Sequence, residues 1–226
     1  MGQFDLFPLW NSLRVAFFSS VFVLLFGIVL AYYISKSPRV LKGILDVILT
    51  IPLILPPTVT GYILILILGN KTAIGSFLYN IGFPFFMSWR GAIIASIIVS
   101  FPLMYRTTRA SFEAFDENLE FAAKTLGLSN TYIFWRIKIP ACKNGLIAGT
   151  VLAFARALGE YGATSMFVGF IEGKTATIAT TVYHYYSINQ DTLALIWIFI
   201  NLGIAAVVLM IVNFFEKSKK GVQKWV

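Results

Sequence analysis

Residues 13–34 read LRVAFFSSVFVLLFGIVLAYYI, twenty-two residues with a single charge, Arg14, at the entry. A helix needs about 20 apolar residues to cross the hydrocarbon core of a bilayer, and a run of this length and purity is too long for the core of a small water-soluble globule. Four further stretches meet the same requirement. They are 44–68, interrupted by Pro52, Pro56 and Pro57; about 85–105, with Pro102 near its end; about 145–168, with Gly159 and Gly162; and 193–215. Strands are not expected, because period-two alternation is absent and a spanning sheet must close into a barrel. The composition agrees: 58% of residues are hydrophobic and 12% charged, against about 25% charged in an average soluble domain. The expectation is an all-α membrane protein with five transmembrane helices, one domain over 1–226 with its core at about 11–215. No polar segment is long enough for a separate soluble domain. No cleavable leader is evident, since the first apolar run is too long and lacks a small-residue cleavage site after it.

The chain carries a net charge of +8. A basic balance can signal nucleic acid, but here the charges sit between the apolar runs, so no nucleic-acid partner is expected. Lys36, Arg39 and Lys42 lie between spans one and two. Arg106, Arg109, Lys124, Arg136, Lys138 and Lys143 lie between three and four, and Lys217, Lys219, Lys220 and Lys224 follow five, together thirteen of the eighteen basic residues. Lys71, Arg90 and Lys174 fall on the other side. The positive-inside rule then puts the C-terminus in the cytoplasm and the N-terminus outside. Segment 69–91 reads as an external loop with short apolar pieces. Segment 174–188 is too short to span and reads as an interfacial or re-entrant helix, with Tyr183, Tyr185 and Tyr186 at headgroup level.

The stretch LEFAAKTLGLSNTYIFWRIKIP, 119–140, interrupts this apolar landscape. Leu119, Ala122, Ala123 and Leu126 recur at i, i+3, i+4 and i+7, one stripe on a short helix. Asn118 or Asp116 can cap its start, and Glu120 sits in the first turn, where the helix dipole favours a carboxylate. Gly127 can close the helix in a left-handed conformation. Ser129 or Asn130 can cap a second short helix, which Pro140 is expected to end. A face of leucine and alanine has low relief, suited to the cleft of another protein; the same stripe would also suit a helix lying on lipid headgroups.

Catalytic signatures are absent: there is no G-x-x-x-x-G-K-[ST], no H-E-x-x-H and no G-x-S-x-G. One histidine, His184, and one cysteine, Cys142, leave no metal cluster and no internal disulfide. No catalytic or metal site and no cofactor are expected on this chain. Charges within a span are costly and face protein or water. Arg156 and Glu160, at i and i+4 on span four, read either as a structural ion pair or as a transient foothold for an anion on a pathway. Pro56 and Pro57 break span two, and with Thr58 they can line a gate. Gly162, with Gly159, permits close helix approach or a hinge.

Glu120, Ala122, Ala123, three residues, Gly127, nine residues, Ile137, Ile139 and Pro140 resemble the loop of permease subunits in binding-protein-dependent ABC importers, whose pattern is EAA, three residues, G, nine residues, I-x-L-P. Phe121 intrudes after Glu120, and Ile139 replaces the leucine. LILPPTVTGYILILILG, FMSWRGAIIASIIVSFPLMYRTTR, LEFAAKTLG and GTVLAFARALGEYGATSMFVGFIEGKTATI together resemble the molybdate permeases of that superfamily. The resemblance implies the importer permease (MetI-like) fold, with a cytoplasmic coupling helix in a loop at about 107–142 that docks on an ATPase through Leu119, Glu120, Ala122, Ala123, Leu126, Gly127, Ile137 and Pro140. It further implies a second copy of the chain, a cytoplasmic ATPase dimer that binds ATP and magnesium, an external molybdate-binding protein, and membrane lipid as neighbours. Permeases for tungstate, sulfate or thiosulfate are close alternatives. A membrane-embedded enzyme or assembly factor would need a catalytic group within the spans. A secondary transporter would need an internal repeat and unpaired carboxylates.

Overall fold

The computed structural model describes residues 5–217; the tail lysines at 219, 220 and 224 lie outside them. Helices α1 (Phe7–Ser35), α5 (Trp89–Glu113) and α8 (Ile139–Leu158) form the centre of the bundle. α1 and α5 run parallel: Arg14 at the start of α1 stands over Trp89 at the start of α5, and Tyr32 near its end meets Phe112. α8 runs antiparallel to them and packs on both. The seams are built from small residues, including Ala16, Ser19, Ala31, Ala92, Ala95, Ala153 and Ala157, all buried. Van der Waals packing holds helices together in lipid, so small residues that let backbones approach are the adhesive. Met104 shows how close that approach is. A Cβ on Gly27 would stand 2.8 Å from its Cγ, and one on Gly149 2.8 Å from its Sδ. Ser19, Ser20 and Ser100 return their hydroxyls to carbonyls of their own helices at 2.6–2.7 Å, which satisfies them without a partner across the seam.

Among the described residues, four helices are long and apolar enough to cross a membrane: α1, α5, the continuous stretch Asn130–Leu158, and α11 (Asp191–Lys217), whose apolar window is Asp191–Met210. The expected second span is a pair, α2 (Arg39–Ile54) and α3 (Pro57–Leu68), bent by 111° at the break between them. The break lies at Leu55 and Pro56, both extended (ψ 139° and 133°). Each precedes a proline, and that position resists the α region. Pro52, expected to interrupt the span as well, sits inside α2 without breaking it.

Two boundaries differ from expectation. Span four ends at Leu158 rather than near 168, and Gly162–Phe167 forms a separate short helix, α9, packed on α3. The second short helix, α7 (Asn130–Ile133), does not end at Pro140. It continues through a π-helical turn, Phe134–Lys138, into α8. Proline lacks an N–H and its ring clashes with the carbonyl four residues back. The wider turn, in which the Ile139 N–H bonds to the Phe134 carbonyl, carries the chain past that conflict.

The short elements lie at the two ends. α4 (Ala73–Asn80) follows α3, and α10 (Ile178–Ser187) packs on α11 and on the start of α1. Asn11 Nδ2 donates to the Thr175 and Ala176 carbonyls at 3.1 and 2.9 Å, and the Ile178 N–H donates to Ser12 Oγ at 2.8 Å. Ten residues rise about 15 Å, so α10 does not span by itself. Much of the outer surface is apolar and exposed: α2 buries no residue, and Phe22, Phe26, Phe199 and Leu202 face outward, as a bilayer-spanning chain requires.

Candidate functional site

Between α5 and α8 the chain leaves the bundle and folds a compact hairpin. Asp116 caps α6 (Glu117–Thr125), accepting from the Asn118 N–H at 2.9 Å. Gly127 closes it at φ +76°, with the Leu128 N–H reaching back to the Ala123 carbonyl at 3.2 Å. Ser129, rather than Asn130, caps α7 through the Tyr132 N–H at 3.3 Å. Leu119, Ala122 and Leu126 face outward with Phe121 beside them. Ala123, expected on the same face, is 4% exposed and turned into the chain. A period of 3.6 places it beside the others, but the hairpin buries that edge. Ile137 is half-buried in the π turn and Pro140 is exposed just after it.

Glu120 also faces inward. Its Oε1 lies 2.9 Å from Lys124 Nζ and 3.5 Å from Lys36 Nζ, and its Oε2 lies 3.0 Å from Lys138 Nζ. Lys138 is buried, its ammonium over the rings of Tyr32 and Phe115 at 5.6 and 4.9 Å. The hydrogen bond from Lys124 outweighs the opposing effect of burial, Lys138 and Lys36 add to it, and the carboxyl is pulled down to about 2. One carboxylate thus ties α6 to the end of α1 and to the π turn that enters α8. Nearby, Asp46 of α2 receives Tyr105 and Arg109 of α5, and Lys42 pairs with Glu113 at 3.0 Å. This second network fastens the otherwise loosely held α2.

The other group of predicted residues meets at the far end of α8, about 30 Å away along its 20 residues. Arg156 Nη1 stands 2.7 Å from Glu160 Oε2, and Glu160 Oε1 accepts from the Ala163 N–H at 2.6 Å. Glu160 is buried while Arg156 is 30% exposed at its side chain, so its guanidinium keeps donors to spare. α9 lies hard against α3. A Cβ on Gly162 would fall 2.7 Å from Pro57 Cβ, and one on Gly61 would fall 2.8 Å from the Ala163 carbonyl oxygen. Pro57, Thr58 and Gly162 are therefore brought together, Pro56 forms the elbow, and Pro56 and Thr58 are exposed.

The whole arrangement can be compared with known proteins. Residues 23–221 match the family model described as a binding-protein-dependent transport system inner membrane component. The chain belongs to this family of transport permeases. Among relatives of the permease, the molybdenum transport system permease protein ModB of Escherichia coli is 45% identical over 78% of this chain and 79% of its own length. The putative molybdenum transport system permease protein YvgM of Bacillus subtilis is 36% identical over 94% and 92%. The sulfate transport system permease protein CysW of Synechococcus elongatus is 33% identical over 85% and 67%. Inward-facing MetNI, a methionine ABC transporter, superposes with a TM-score of 0.72 at 14% identity, over 93% of this chain and 94% of the other. A bacterial alginate ABC transporter gives 0.73 at 15% identity, over 97% and 81%. At such identities the likeness bears on the fold alone.

Several residues of the permease were not legible beforehand. Lys36 and Lys138 lie 84 and 18 positions from Glu120, and no local pattern announces either. The Glu120–Lys124 pair at i, i+4 was the one visible signal. Gly61 and Ala163 could have been suspected only as small residues, not as partners.

Proposed function

We propose that this permease is the membrane subunit of an ATP-driven importer of molybdate, working as a pair of identical copies. The observation that carries the substrate is the 45% identity to a permease named for molybdenum transport. The end bearing α6 faces the cytoplasm, in line with its share of the lysines and arginines. There the outward face of Leu119, Ala122 and Leu126 docks on a separate ATPase, which supplies ATP and magnesium chemistry. Glu120 holds this handle to the end of α1 and to Lys138. Because Lys138 leads straight into α8, a displacement of α6 is carried along α8 as a rod. At its far end are the Arg156–Glu160 pair and the α3–α9 contact, the elements that gate the pathway. Arg156 keeps hydrogen-bond donors for a passing oxyanion, while the pair with Glu160 keeps that grip weak, as passage requires release. An external binding protein captures the anion and sets most of the selectivity.

The 33% identity to a sulfate permease supports sulfate as the second reading. Uptake of labelled molybdate at low external concentration, in cells with and without this chain, separates them. Loss of uptake on deletion, with tungstate competing better than sulfate, is the expected result. Unchanged molybdate uptake with a fall in sulfate uptake would overturn the assignment in favour of the second reading.

A further inference from the structure

At the end of the bundle opposite α6, α1 and α5 leave a groove between them. It encloses about 430 Å³ and is lined by Phe18, Phe22 and Phe26 of α1, Ile93 and Ile97 of α5, and Trp89 with Arg90 at its mouth. No carboxylate lines it. The aromatic wall faces outward: Phe18, Phe22 and Phe26 are 42%, 45% and 57% exposed. From Phe18 to Phe26 the wall rises about 12 Å, close to the roughly 15 Å of one leaflet's hydrocarbon.

Two guanidiniums flank Trp89: Arg90 lines the mouth, and Arg14, about one helical turn before Phe18, lines the adjoining cavity with Asn11 and Phe18. Arg14 lies 3.9 Å and Arg90 5.6 Å from the centre of the Trp89 ring, and Arg90 is also 4.1 Å from that of Phe83. Among the described residues neither has a carboxylate partner; Arg14 donates only to Asn11 Oδ1, at 3.3 Å. Two uncompensated cations on one indole, Arg90 on the rim of an apolar channel one leaflet deep and Arg14 beside it, match an amphiphile with a negative head and a hydrocarbon tail. A zwitterionic head would bring its own ammonium to a site that already holds two positive charges.

We propose that the α1–α5 groove binds an anionic phospholipid, its phosphate on Arg90 and Arg14 and one acyl chain along Phe18, Phe22 and Phe26. The lipid's anion is the element that the two arginines lack, and its chain covers the aromatic wall.

The test is native mass spectrometry of the full chain released from mixed micelles holding equal phosphatidylglycerol and phosphatidylcholine. Phosphatidylglycerol should be retained preferentially. The Arg14→Gln/Arg90→Gln pair should weaken that preference by roughly tenfold, the loss of charge-assisted hydrogen bonds to phosphate. Arg90→Lys should keep most of it. Ile94 also lines the groove, and Ile94→Trp, which narrows it and leaves both arginines, should lower retention of either lipid and guards against a misfolded charge variant. Inorganic phosphate at matched concentration should not displace the lipid. Equal retention of the two lipids, retention unchanged in the double variant, or displacement by phosphate would overturn the proposal. None of these readouts depends on transport.

Discussion

Glu120 is one residue carrying three contacts, each to a different part of the chain. The folded chain holds its carboxyl near 2, whereas an unfolded glutamate titrates near 4.3. The stabilisation is therefore complete above about pH 4.3 and drains away as the pH falls toward 2. Lys36 and Lys124 are half-exposed, so solvent screens part of the effect, and Glu120→Gln should cost about 1–2 kcal/mol at neutral pH. Thermal unfolding of both proteins at pH 7 and pH 3 checks this: the gap should shrink at the lower pH, and a gap independent of pH would contradict it. Gly162 makes a different kind of prediction. Its missing Cβ is filled by Pro57, so Gly162→Val should separate α9 from α3 at about 1–3 kcal/mol. In the importer proposed above, uptake should fall while co-purification of the proposed ATPase is unchanged. Gly127 needs freedom of another sort, since its surroundings are open and only its φ of +76° resists a side chain.

At the scale of elements, the legible parts were those fixed by local stereochemistry. Two consecutive prolines forced the α2–α3 break, and aspartate, serine and glycine marked the caps of the hairpin. What escaped was decided by packing. The stripe of α6 is read equally well with Ala123 inside or outside, and only the folded hairpin chooses. Pro140 was expected to stop a helix because the residue before a proline resists the α region. A π turn is the other solution, and no residue pattern distinguishes the two. That turn sets the angle between the hairpin and α8. Pro140→Ala should relax it toward regular α-helix and rotate α6 relative to the rod. The expected outcome is a folded complex that hydrolyses ATP but imports at well under half the normal rate. Parallel assays of hydrolysis and uptake decide this, and equal rates of both would show that the turn's geometry is immaterial.

For the molecule as a whole, the four long apolar helices and the proline-broken α2–α3 pair were readable from hydropathy, while their partnership was not. α1, α5 and α8 satisfy one another, but α2 has no fully buried residue and Ile54 at its end is 84% exposed, beside the elbow. If two copies meet around the α3 elbows, cysteine at Ile54 in a Cys142→Ser background should give a cross-linked dimer with a short bis-maleimide in native membranes. Monomer alone would argue against that pairing.

The Glu120 node also bears on how the chain is made. Lys36, Glu120, Lys124 and Lys138 all precede Ile139, the first residue of α8. A nascent chain therefore holds every charge of the node before its last two long helices have been synthesised. The surface proposed for the ATPase can be set while the rest of the bundle is still incomplete, so a defect in α11 should spoil transport and leave the Glu120 node intact.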